Sequence, residues 1–391
     1  MLVDPLAAWC EAAFPRTLLW DDAGALLAEG VAWEATANGP GRGMRLARAL
    51  GRLEGARAEP PVVMGALAFE DAPPLPSPWG ALAGARLWLP ARLRVDRRDW
   101  QCEQRETALA VERAPSAPWP HPPARFRDLV EDAAQLVRDG VLRKVVVARA
   151  IDQRLPANHR DDVALARLKA AVGPGACVYA HDLPDGALFL GATPEILCSA
   201  RDTHVETHAL AGTCAATDDG AGDESRIASL MASTKERKEH GLVVEHLQAV
   251  LRARCRPFAV ESCPHVRRVG GLLHLETRIA AELLVPDYLD AIAALHPTPA
   301  TCGLPVALAA SWIARHERFV RGLYCGALGW LAPRGCHAIV PLRGALLAPD
   351  RSLARLFAGC GIVESSDPAL EWEETELKLR VMRQALRLAH G

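Results

Sequence analysis

Apolar and polar positions along the chain change period several times, and each change predicts an element. From Phe126 the apolar residues Leu129, Val130, Ala133 and Val137 keep a helical spacing that stops at Gly140. Lys144 to Arg149 is short and β-branched, which predicts a strand with Lys144 at its entrance and alternating faces beyond. A helix near 162–172 and strands at 177–181 and 187–191 are expected next, leading to Glu195 just after Pro194 at the end of an apolar run. Thr207 to Thr213 reads as a strand ending in a small-residue turn, and Lys235 to His240 lies in a helical segment. Strands follow near 266–269 and 272–275, then a helix near 288–295; His296 to Pro305, with three prolines, breaks every regular element. Two more strands are expected at 323–331 and 337–347. Asp367 before Pro368 is a helix start, with Asp able to cap free amides and Pro tolerated in the first turn, so Glu371, Glu374 and Lys378 lie on a helix.

Residues 1–111 carry short apolar runs such as Val62 to Phe69 and Ala85 to Leu89 between Gly and Pro clusters, which predicts strands and turns with a helix near 44–53. Pro115, Pro118, Pro120, Pro122 and Pro123 form the best internal boundary in the chain, or a connection within one domain. With 391 residues, 50% hydrophobic and 24% charged, the chain can bury a large core. A net charge of −2 and the lack of a basic stripe interleaved with aromatics argue against nucleic acid as a partner. Eleven cysteines show neither a CxxC pair nor zinc-ligand spacing, which fits a reducing cytoplasm. The first fourteen residues contain Asp4 and Glu11 and lack a basic start, and no apolar run reaches the roughly 18 residues needed to span a bilayer, so neither export nor membrane insertion is expected.

Chemistry concentrates in the second half. Glu371 and Glu374 share one helix face, as do Glu236 and Glu239, and carboxylates that close repel unless a cation or proton sits between them. Two such helices could present four carboxylates to Mg2+, although charges three apart on a helix ordinarily form a solvated face. Gly359 and Gly361 suggest a backbone that approaches a ligand closely, with amides at the following helix entrance favouring an anion. Lys144 is either a surface charge or, if buried, a candidate base, and Glu195 is either a turn residue in water or a half-buried acid. Gly212 and Thr213 could offer an amide and a hydroxyl. Arg343, among apolar neighbours, is a candidate anion clamp or half of a structural salt bridge.

In order, Lys144 to Arg149, Gly191 to Leu197, Leu210 to Thr213, Lys235 to His240, His296 to Pro305, Arg321 to Gly326, Pro341 to Gly344 and Gly359 to Lys378 resemble the chorismate-utilising enzymes. The resemblance runs from about Phe126 to about Leu388. It implies one α+β domain, two large packed antiparallel sheets flanked by helices, with residues 1–124 adding strands to the core of a motif-bearing part at 125–389. It further implies Mg2+ on Glu239 and Glu374, with Glu236 and Glu371 as nearby or water-mediated partners. The ring carboxylate of chorismate would sit on the metal near Gly212 and Thr213; the enolpyruvyl carboxylate would meet Arg343, Tyr324 and the amides around Gly359 and Gly361, with Lys378 close by. Lys144 stands where the water-using members have their base and the ammonia-using anthranilate enzymes resemble a glutamine; Ala211 stands where aminodeoxychorismate enzymes carry a lysine. His296 and its neighbours resemble the isochorismate synthases more than the salicylate synthases, and His296 is expected to help bind substrate. The implied activity is a Mg2+-dependent, reversible isochorismate synthase, a cytoplasmic monomer without an amidotransferase subunit, in which Lys144 is the base and Glu195 the acid. Both need shifted pKa values, since an ordinary Lys near ~10.4 and Glu near ~4.3 are in the wrong states at neutral pH. A salicylate synthase that also eliminates pyruvate, or a silent chorismate-binding homologue, remains open.

Overall fold

The computed structural model describes residues 4–54, 62–71, 77–80, 82–96, 98–102, 125–217 and 222–388; the proline-rich boundary lies outside them. The described strands form two ten-stranded sheets in which every ladder is antiparallel. The first runs Gly303–Leu304, Lys144–Arg154, Leu353–Ile362, Gly344–Leu347, Leu188–Thr193, Cys177–Asp182, Arg16–Trp20, Ala25–Glu29, Arg92–Val95, Arg98–Gln101. The second runs Cys255–Val260, Leu272–Leu283, His204–Ala215, Ile196–Arg201, Gly335–Ile339, Ala327–Ala332, Val63–Leu67, Ala85–Leu89, Trp33–Ala37, with His265–Val269 also paired to Leu272–Leu283. Strands from residues 16–101 therefore complete both sheets.

One apolar layer joins the inner faces, with Leu19, Met64, Tyr179, Phe189, Leu328 and Phe357 in a single cluster. A second lies under the helices Thr234–Arg252 and Tyr288–Leu295, a third under Asp161–Val172 and Pro368–Leu386. Burial on both sides over residues 144–150 explains why Val145, Val146 and Val147 follow one another in the Lys144–Arg154 strand without the alternation of a half-exposed strand. Its Val145 and Val147 share a cluster with Val130 and Ala133 of the helix Phe126–Arg138, while Val146 lines the opposite, cavity side.

Several elements differ from the sequence reading. The run 337–347 is two strands, Gly335–Ile339 and Gly344–Leu347, in different sheets, because Pro341 has no N–H to continue a ladder and Arg343 turns the chain at φ 45°. The strand expected from 323 begins only at Ala327. His204–Ala215 does not turn at Gly212 but continues past it through a bulge, with Gly212 at φ 80°. Gly359 and Gly361 sit inside the strand Leu353–Ile362, so the glycines are not the approach to a helix entrance; Asp367 itself caps Pro368–Leu386 by accepting from the Ala369 and Leu370 amides.

Arg321, fully buried, ties the cavity wall to the core. It donates to Glu317 (Nε–Oε2 2.8 Å), the Thr301 carbonyl (2.7 Å) and the Val146 carbonyl (2.9 Å), and Glu317 also accepts the Ala148 amide at 2.8 Å. Arg321→Ala strands a buried carboxylate and is expected to cost about 3–5 kcal/mol in a urea unfolding curve, with part of the loss recovered when Glu317→Leu is added to Arg321→Met.

Candidate active site

Two neighbouring chain segments cross together from one sheet to the other. Leu188–Thr193 pairs with Gly344–Leu347 in the first sheet, and their continuations Ile196–Arg201 and Gly335–Ile339 pair in the second. Between them the crossing backbone satisfies itself: Val340 N donates to the Glu195 carbonyl (3.0 Å), Thr193 Oγ1 to the Val340 carbonyl (2.6 Å) and the Tyr179 hydroxyl to the Leu342 carbonyl (2.8 Å). Glu195 stands at one crossing and Arg343 at the other. Both line a cavity whose empty space, open solvent at its mouth included, is about 680 Å3, together with Gly212, Thr213, Glu239, His274, Tyr324, Gly359, Gly361, Glu374 and Lys378.

Lysines answer the acidic wall one by one. Lys144 Nζ lies 2.9 Å from Glu239 Oε1, as an ion pair without the angle of a hydrogen bond; Lys378 Nζ is 2.7 Å from Glu374 Oε1 and donates to the Gly359 carbonyl at 2.8 Å; Lys235 Nζ is 2.6 Å from Glu371 Oε1. Lys144 is completely buried, so it is not a surface charge. Gly361 is its window: a Cβ there would stand 2.0 Å from Glu239 Oε1 and 2.7 Å from Lys144 Cε. Glu236 and Glu371 lie just behind the lining, Glu236 accepting the Thr213 amide at 3.0 Å, so that amide is spent on the protein rather than offered to a ligand.

The carboxyls feel one another. Burial and then Glu239, with Glu374 further off, push Glu236 up to about 7 against the pull of Lys235. Burial also raises Glu374, helped by Glu371 and Glu239 and opposed by Lys378. Burial pulls Lys378 down, yet Glu374 carries it above its ordinary value. Glu195 is pushed by burial up to about 7, although Lys144, the Thr298 hydroxyl, Lys378 and Arg343 all favour its charged form. Among the described residues no three acidic, His or Cys side chains converge tightly enough to enclose an ion as they stand, the lysines being their counter-charges. An all-oxygen set that repels itself, with the buried Glu371 Oε2 left without a hydrogen bond, nevertheless fits a hard divalent cation.

Arg343 is the opposite case. It is buried, lowered by that burial to about 10, and pairs with no carboxylate among the described residues; its side chain reaches the Val269 carbonyl (3.4 Å) and the His274 ring. His296 is not at the cavity: its Nε2 faces the Cys325 carbonyl at 3.3 Å, and the segment reaches the wall instead through Ala300 and Thr301, with Thr298 Oγ1 3.4 Å from Glu195 Oε1. The sequence reading missed His274, Lys235 and Thr298. His274 had a legible signal, as the polar member with Glu276 of the alternation Leu273, His274, Leu275, Glu276; Lys235 and Thr298 had none, because their partners come from distant segments.

A cavity between two antiparallel sheets has on its lining an arginine with no carboxylate partner among the described residues and two glutamates, Glu239 and Glu374. A family model described as "Chorismate binding enzyme" matches residues 93–387, and the chain belongs to that family. It is 39% identical over 276 residues to the salicylate biosynthesis isochorismate synthase of Pseudomonas aeruginosa, covering 67% of this chain and 54% of that protein. It is 32% identical over 355 residues to the isochorismate synthase DhbC of Bacillus subtilis, covering 88% of this chain and 86% of that one. The fold superposes with a TM-score of 0.80 on MenF, the menaquinone-specific isochorismate synthase of Escherichia coli, at 26% identity and over 98% of this chain and 91% of that one.

Gly361→Ala tests the window. The added methyl must displace Glu239 and Lys144, so the far-UV spectrum should stay unchanged while turnover falls on the order of 10²-fold, the loss typical of a small misplacement of reacting groups.

Proposed function

We propose that this chain is an isochorismate synthase that reversibly converts chorismate to isochorismate, adding water at C2 as the C4 hydroxyl leaves. The observation that carries the reading is Arg343, a buried guanidinium without a carboxylate partner among the described residues, facing the same cavity as a carboxyl raised to about 7. Arg343 and the neighbouring Tyr324 hydroxyl receive one substrate carboxylate. Lys144, reached past Gly361, serves as base in its neutral form: after its ammonium proton has left and the pair with Glu239 has opened, it takes a proton from the attacking water. Glu195, protonated below about 7, gives its proton to the departing hydroxyl. The reading further assigns Mg2+ to Glu239 and Glu374, with Glu236 and Glu371 behind them. When bound, the ion would orient and partly neutralise the ring carboxylate. Among the described residues no helix is long and apolar enough to cross a membrane. With water as the nucleophile the reaction needs no amidotransferase subunit, and we read the protein as a cytoplasmic monomer.

Incubated with chorismate and Mg2+, the purified protein should yield isochorismate with little salicylate by chromatography, and a chelator should stop the reaction. Stoichiometric salicylate and pyruvate without a separate lyase would make it a salicylate synthase instead.

Because Glu195 acts as an acid, kcat/KM in the forward direction should fall as pH rises through about 7, measured at saturating Mg2+ so that protons on Glu236 do not enter. Glu195→Gln should lose kcat with little change in KM. A flat profile from pH 7 to about 9 would remove Glu195 from that role.

A further inference from the structure

His274 touches both Arg343 and Thr213, and the chemistry of those partners decides where its proton sits. A guanidinium has only donors, so Arg343 Nη2 donates to His274 Nε2, which must present a lone pair. The proton of the neutral ring is then on Nδ1, which lies 3.0 Å from Thr213 Oγ1 and donates to it. With its oxygen occupied by His274, the Thr213 hydroxyl keeps its own proton free to donate, and Thr213 lines the cavity. The ring is 4% exposed, and burial together with Arg343, Lys378 and Arg267 holds it uncharged.

Resting on the functional reading above, we infer that His274 is a positioning residue: locked as the Nδ1–H tautomer by Arg343, it aims the guanidinium and the Thr213 hydroxyl together, as donors, at the carboxylates of the substrate. Among the described residues it is the only side chain hydrogen-bonded to Arg343, and Arg343 leaves the backbone at a left-handed φ of 45° that does not by itself direct its long side chain.

Two isosteric substitutions separate the two contacts. The amide of His274→Asn reaches the Nδ1 position and can still donate to Thr213 but leaves Arg343 unheld; the amide oxygen of His274→Gln reaches the Nε2 position and can hold Arg343 but leaves Thr213 free. His274→Asn should raise KM for chorismate by roughly tenfold or more, the value of one hydrogen bond to a charged group, and adding Arg343→Ala to it should raise KM little further than Arg343→Ala alone. His274→Gln should keep KM within about threefold and should be nearly insensitive to an added Thr213→Val. Independent, multiplying effects of His274→Asn and Arg343→Ala, or identical behaviour of the Asn and Gln variants, would reduce His274 to a core histidine. A readout without substrate keeps this apart from the functional reading. In protein labelled with 15N-histidine, the signals lost in His274→Gln should show a protonated Nδ1 and an unprotonated Nε2, and Arg343→Ala should abolish that single tautomer. A ring protonated on Nε2, or on both nitrogens, overturns the inference whether or not chorismate is turned over.

Discussion

Everything in the site depends on a double crossing of the chain between the sheets. A strand that leaves its sheet exposes backbone amides and carbonyls that must find partners in the interior. Here two antiparallel segments leave together, so each supplies the other, through Val340 to Glu195 and Thr193 to Val340. Pro194 and Pro341 stand at the crossings. Gly191 and Gly344 face each other across the ladder, and a Cβ on either would strike the Tyr179 hydroxyl, at 2.5 and 2.3 Å. This geometry puts Glu195 and Arg343 on one wall with main-chain support that a loop would not give.

The opposite wall is organised by charge. Two helices, Thr234–Arg252 and Pro368–Leu386, bring four glutamates against the strand Leu353–Ile362, and Lys144, Lys235 and Lys378 keep the cluster from flying apart. Even so, Glu195 and Glu236 hold protons to about 7, well above the 4.5 of a free side chain. A carboxyl whose folded pKa is raised destabilises the fold as pH climbs from the lower value to the higher, so the site is maintained against stability at neutral pH. A cation bound at the glutamates, or an anion bound beside Arg343, would relieve that strain from outside the chain.

Read alone, the chain marked the elements whose period and end signals are local: the helical spacing from Phe126 stops at Gly140, the β-branched run follows Lys144, and Asp367 with Pro368 starts the last helix; the helices Asp223–Ala232 and Val306–His316 and the strand Leu353–Ile362 were not foreseen. It also put Glu236 with Glu239 and Glu371 with Glu374 on shared helix faces, since such pairs are set by helix geometry within a few positions, and Glu239 and Glu374 do line the cavity. Tertiary structure decided the rest. Pro341 marked a break in 337–347, but that its two halves join different sheets was not legible, because both inner faces are apolar and a strand looks the same on either. Whether Arg343 had a carboxylate partner, whether Lys144 was exposed, and that His296 lay behind the wall while His274 faced it, all depended on segments remote in the sequence, 29 residues away for His296 and Cys325 and 69 for Arg343 and His274. Burial and pairing are properties of the assembled layers, and no local pattern of residues encodes them.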